Sequence, residues 1–173
     1  MSEGKTYTIH KSKKSLVDRF MTARESLRRS LEDTSHRLEI IREFDGTEYI
    51  NDARSSDLLS TRDSLKCIQK PVIWLAATTP HERDYALIEK YVKYKVKCLV
   101  VYGGSGDDMQ YKLGHLVEKF ASCKSLRDAV AEARGLGSKD DAVIFSPSCV
   151  PTDDYSNFAD RGSAFISYVN ELE

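Results

Sequence analysis

The sequence predicts an α/β domain: a Rossmann-like, mostly parallel sheet with helices on both faces, preceded by a helix and a β-hairpin. Three observations carry that expectation. A continuous apolar run of strand length falls at 71–77, and 97–102 and 141–146 read as two further core strands, as strands buried on both faces require. Amphipathic stretches with helical spacing alternate with those runs, the pattern of parallel strands joined by right-handed crossovers. Glycine or proline punctuates the ends, at Gly103-Gly104, Gly135, Gly137 and Pro147.

The elements follow in order. Residues 1–14 read as a polar, basic lead-in and 15–173 as a single domain. Ser15 and Asp18 resemble a capping box, and Leu16, Phe20, Leu27 and Leu31 trace a helical stripe. The run 39–44, the Asp45-Gly46 turn and 47–50 form a β-hairpin signature. After the strand at 71–77, Leu87, Ile88, Tyr91, Val92 and Val96 form one apolar helix face. The strand at 97–102 is followed by a helix marked by Leu113, Leu116 and Val117, then a short strand at 120–123. Ser125 and Asp128 cap a helix bearing Leu126, Ala129, Val130 and Ala133. The closing helix buries Phe158, Phe165, Ile166 and Val169, with Gly162 allowing close approach.

At 173 residues the chain suits one domain with a substantial core. Its 26 basic residues against 27 acidic ones leave a net charge of −1, which argues against a generic nucleic-acid or anionic-membrane binder. Apolar runs are strand-sized and no hydrophobic leader opens the chain, so a cytoplasmic location is expected. Cys67, Cys98, Cys123 and Cys149 have no metal-ligand spacing and read as reduced thiols; no metal site is expected.

In parallel α/β sheets ligands bind beyond the carboxyl ends of the strands. The segments to watch are therefore 51–57, 76–83, 102–108 and 146–154. Gly4-Lys5-Thr6 lacks the rest of a phosphate loop and reads as chance. Gly103-Gly104-Ser105-Gly106 stands where amides can cradle phosphate, but without dinucleotide spacing it reads first as a turn. The interleaved lysines and tyrosines of 90–97 fit a solvated helix face better than a nucleic-acid platform. Asp153-Asp154 could pair on a metal, yet acidic residues also favour helix starts. The residues themselves lead to a crevice of unknown ligand.

Four stretches in order resemble the C-terminal domain of the Mur ligases, the D-glutamate-adding members in particular. They are His36-Arg37-Leu38-Glu39; Tyr49-Ile50-Asn51-Asp52-Ala53-Arg54-Ser55-Ser56-Asp57; Lys70-Pro71-Val72-Ile73-Trp74-Leu75-Ala76; and Ser146-Pro147-Ser148-Cys149 with Asp153 and 157–165. The resemblance implies an ATP-dependent amino-acid ligase fold whose last domain closes over a nucleotide held mainly elsewhere. It places Arg37 and Asp52 near the nucleotide, and Arg54, Ser56 and Phe158 on the phosphate and substrate side. Arg54 and Ser56 stand where the family has Lys and Thr, and arginine keeps the charge without the compact ammonium geometry.

The departures bear on activity. The family's glycine-rich Asp-Lys-Gly loop is Ala77-Thr78-Thr79-Pro80-His81-Glu82-Arg83 here, and Pro80 removes an amide donor. The family's Ala-Ser after the cysteine is Val150-Pro151, so a serine that helps bind glutamate is lost. The phosphate loop, magnesium ligands and UDP-binding domain have no counterpart in 173 residues. No catalytic residue is therefore assigned, and ATP or ADP with magnesium is expected to bind weakly if at all.

Three functions are weighed: a non-catalytic module binding a protein partner or small anion, a subunit completing a split ligase in trans, and a fragment of a longer ligase. An open, basic crevice around Arg37, Asp52 and Arg54 favours binding. A filled one favours scaffolding, for which an Arg37–Asp52 ion pair is one form.

Overall fold

The computed structural model describes residues 35–151 and 155–173, and 35–173 form one compact unit. The lead-in, the helix expected from Ser15, Gly4-Lys5-Thr6 and Asp153-Asp154 lie outside the described residues.

A hairpin opens this unit. Strands β1 (Glu39–Phe44) and β2 (Thr47–Asn51) pair antiparallel across Asp45 and Gly46, both at positive φ, 51° and 77°. That backbone is what a tight hairpin with right-handed strand twist demands. Four further strands complete a six-stranded sheet: β3 (Val72–Ala77), β4 (Val96–Tyr102), β5 (Lys119–Cys123) and β6 (Ala142–Phe145). The order is β1-β2-β6-β3-β4-β5, and every pair except β1–β2 is parallel.

The continuous apolar runs occupy the middle. Every residue of β3 and β6 is buried, because helices cover both faces. On one face α4 (Leu126–Leu136) and α5 (Phe158–Asn170) pack against Ile73, Leu75, Val100 and Phe145. On the other, α1 (Leu58–Cys67), α2 (Glu89–Lys95) and α3 (Asp107–Leu113) cover Trp74, Leu99, Val101 and Ile144.

Four local expectations shift. The helix expected across Leu87 to Val96 is a 3-10 turn (Tyr85–Leu87) followed by α2, because Asp84 caps the turn through Ala86 N–H at 3.1 Å. Val96 leaves that helix face and opens β4, its cap already extended. The helix marked by Leu113, Leu116 and Val117 stops at Leu113, and Gly114–Leu116 tighten into a 3-10 turn. Phe158 and Ile166 are half-buried rather than core, while Arg161 of the same helix is fully buried. The cap from Ser125 to Asp128 N–H is present at 3.2 Å.

The crossover from β5 through α4 to β6 carries the chain back past β4 and β3. Loops leaving β3 and β6 therefore diverge, and the gap between their carboxyl ends is the topological switch point where α/β sheets place ligands.

Candidate functional site

The first motif folds onto the second through side-chain hydrogen bonds. Asn51, at the end of β2, directs Nδ2 to His36 Nδ1 at 2.7 Å and to Glu39 Oε2 at 3.2 Å. Its Oδ1 accepts from Ala53 N–H at 3.2 Å, which fixes the amide orientation and makes His36 Nδ1 the acceptor. His36 and Leu38 hold this geometry at φ 59° and 47°, a left-handed backbone that non-glycine residues adopt at a cost of about 1–3 kcal/mol. Gly162 of α5 fits directly against His36 and Ala53. A Cβ there would collide with His36 Nδ1 and lie 3.0 Å from the Ala53 Cβ.

Asp52 is fully buried. Its Oδ2 accepts from Ser55 Oγ at 2.7 Å and Ser146 Oγ at 2.8 Å, and its Oδ1 from Leu38 N–H at 3.3 Å. With the Ser146 proton committed to Asp52, Thr61 of α1 donates to Ser146 across 2.8 Å. Burial pushes the Asp52 carboxyl up from its usual range, and hydrogen bonds from Ser55, Ser64, Ser146 and Leu38 partly oppose that rise. The hydroxyls thus come from β2's end, α1 and β6's end, binding three elements to one carboxylate.

The predicted site residues separate around this network. Arg37 is exposed, and the groups that reach Asp52 are hydroxyls and an amide rather than the Arg37 guanidinium. Arg54 lies over the Phe158 ring at 5.1 Å, and that ring meets His36 edge-on at 6.3 Å, so Arg54, Phe158 and His36 share one patch. Ser56 stands apart and lines a cavity on the side of α1.

Two cavities lie beyond the strand ends, lined by all four loops expected to do so. One, of about 420 Å³, is walled by Thr78, Thr79 and the Gly103–Asp108 segment. The other, of about 340 Å³, is mostly apolar and lies at the switch point between Ser56–Leu59, the 79–87 loop and Ser148–Val150. Thr79 and Arg83 line both. Arg83 Nε donates to Tyr85 Oη at 3.1 Å and Nη1 to Ser148 Oγ at 2.9 Å. Burial pushes the Tyr85 phenol up to about 12; Arg83 acts to lower it and a hydrogen bond to Asp108 to raise it. Ser148 presents its hydroxyl from a left-handed backbone, φ 58°. Behind it, Arg161 Nη2 donates to Cys149 O at 2.8 Å, while Nε and Nη1 are buried with no hydrogen-bond partner among the described residues.

Sequence reasoning quoted Arg83, Ser146 and Ser148 within motifs but gave them no role, and named neither Tyr85 nor α1. The signal for α1 was Asp57, whose Oδ1 caps Ser60 N–H at 2.7 Å. Among the described residues no group of three or more His, Cys, Asp or Glu could hold a metal ion, and no helix is long and apolar enough to cross a membrane.

No family model matches the chain. Among curated proteins it is 32% identical over 145 residues to the UDP-N-acetylmuramoylalanine–D-glutamate ligase of Alkaliphilus metalliredigens, covering 83% of this chain and 32% of that one. It is 33% identical over 151 residues to the enzyme of the same name from Porphyromonas gingivalis, covering 86% and 34%. Among solved structures, the UDP-N-acetylmuramate–alanine ligase of Thermotoga maritima matches 86% of this chain and 36% of its own, with a TM-score of 0.50 at 13% identity, a likeness of fold. The chain spans about a third of the length of the curated relatives it matches. With the order of its motifs, the sheet they build and the relatives they match all in agreement, the chain is a Mur ligase-related domain with the α/β fold of the Mur ligase C-terminal domain.

Proposed function

We propose that this domain is a non-catalytic binding or accessory module linked to peptidoglycan-precursor synthesis, unable to ligate on its own. The observation that supports this most is Asp52. The carboxylate that the family resemblance sets near a nucleotide is fully buried and holds β2, α1 and β6 together. Thr79-Pro80-His81 in the neighbouring loop supplies neither glycines nor a lysine for a phosphate. ATP or ADP with magnesium then binds weakly at most, and the working ligand is a protein partner or a small anion.

The test is a titration of isotope-labelled protein with ATP and magnesium, followed by amide shifts. No saturable change at Arg37, Asp52 and Arg54 at millimolar nucleotide is the expected result. Saturable changes clustered there would overturn it. They would favour a second reading, in which the domain completes an ATP-dependent UDP-muramoyl-peptide amino-acid ligase, in trans or within a longer chain. Arg54 over Phe158, at the patch shared with His36, is the feature that favours that alternative.

A further inference from the structure

We propose that Arg83 is the strut of a two-state strap across the strand ends. Bonded to Tyr85 and Ser148, it divides the space there into two cavities; swung onto Asp57 or Asp84, it lets them join. The inference concerns the chain's own loops and holds whichever ligand the domain takes.

The closed state is built from neutral partners. Arg83 Nη1 donates to Ser148 Oγ at 2.9 Å and Nε to Tyr85 Oη at 3.1 Å, with the guanidinium carbon 5.2 Å from the centre of the Tyr85 ring. One side chain of the loop after β3 thereby holds the loop after β6. Thr79 and Arg83 line both cavities, and of the two it is Arg83 that reaches across to Ser148. The same loops also meet at their roots, where Ala77 N–H donates to Pro147 O at 3.1 Å. Release of Arg83 therefore frees the outer loop without parting the strands.

The open state has seats waiting. Asp57 and Asp84 line the crevice beside Arg83. Each accepts from neutral donors, Asp57 from Ser60 N–H and Oγ at 2.7 and 3.1 Å and Asp84 from Ala86 N–H at 3.1 Å. Neither is ion-paired with Arg83 among the described residues. A guanidinium bonds more strongly to a carboxylate than to a hydroxyl, which favours the swing. Both aspartates are exposed, so water screens their pull and the fixed, half-buried seat on Ser148 competes. Two seats of opposed advantage on one cavity wall make a bistable element, and a loop held by few bonds opens at the low end of a protein's stability range.

Cys149 reports the strap. It lines the crevice next to Ser148 and is 6% exposed, while Cys98 within β4 is 3% exposed. Native protein is treated with iodoacetamide and each cysteine is followed by mass spectrometry. Arg83→Met keeps the length of the side chain and removes its donors. It should speed Cys149 labelling about tenfold, the weight of one charge-assisted hydrogen bond. Ser148→Ala should also speed it, and the double variant should be no faster than Arg83→Met alone, because both changes remove the same bond. Asp57→Asn combined with Asp84→Asn should slow Cys149, since the open state loses its seats. Cys98 should keep its wild-type rate throughout, which separates opening of the strap from unfolding. An unchanged Cys149 rate in Arg83→Met, multiplied effects in the double variant, or a parallel rise at Cys98 would overturn the strap. An unchanged or faster Cys149 rate in the aspartate variant would overturn its second state.

Discussion

Two layers of one inherited motif behave differently. Beneath the strand ends, Asn51, Asp52, Ser55 and Ser146 are buried, and each makes hydrogen bonds in a network that joins β2, α1 and β6. Beyond the strand ends, Thr79, Arg83 and Val150 instead line open cavities. In the lower layer the loss of one partner would strand a buried polar group. The upper layer can change with little cost to the fold, so ligand chemistry can drift while the scaffold does not.

Substitutions can break that contrast or sharpen it. Asp52→Ala should cost the most, about 3 kcal/mol of unfolding free energy, because Ser55, Ser146 and Leu38 N–H lose a shared acceptor inside the core. Urea denaturation measures it, and a loss near that of a surface change would contradict the network. Gly162→Ala should follow at about 2 kcal/mol, since the new methyl must displace the His36 ring that Asn51 holds.

A smaller effect is a pH dependence. The folded Asp52 carboxyl titrates above its unfolded value of 3.8, so its contribution to stability is complete below that value and is lost as pH rises through the folded one. Wild type should therefore lose stability relative to Asp52→Asn as the pH rises above about 4 toward the raised folded value. Parallel profiles would mean that burial does not raise this group. Smallest of all, Leu59→Ser and Val150→Ser should each shift stability by no more than about 0.5 kcal/mol, as surface changes do. A drop comparable to Asp52→Ala would place the crevice wall in the core and remove the distinction between layers.

The centre of the sheet was legible because its signal is hydrophobic: strands 72–77 and 142–145 are apolar at every position. The hairpin was legible for a second reason, the Asp45-Gly46 turn. Helix α1 was not, because its buried face mixes Leu58 and Leu65 with Thr61 and Ser64, whose hydroxyls serve the Asp52 network. A polar stripe with a structural purpose has no apolar period to detect. The break at Ile88 escaped for a related reason: Asp84 and Ile88 start two separate turns on what reads as one continuous face. In the site, Arg54 and Phe158 were placed by the motif, and the structure brings them together. Arg83 was not, because its setting depends on Tyr85 nearby in the chain and Ser148 at the end of another strand. Contacts between strand ends are set by topology rather than by spacing along the chain.

The chain has one tryptophan, Trp74, with no exposed surface and its indole N–H on Ser146 O at 2.7 Å. The residue that receives this bond also donates to Asp52. The protein therefore carries an optical reporter wired to the buried layer. Its emission should be blue-shifted in the native state and should red-shift when that layer opens, whatever happens in the crevice above. Occupancy of the crevice that left the emission unchanged would show binding without strain on the scaffold, and a shift on binding would reveal that the two layers communicate.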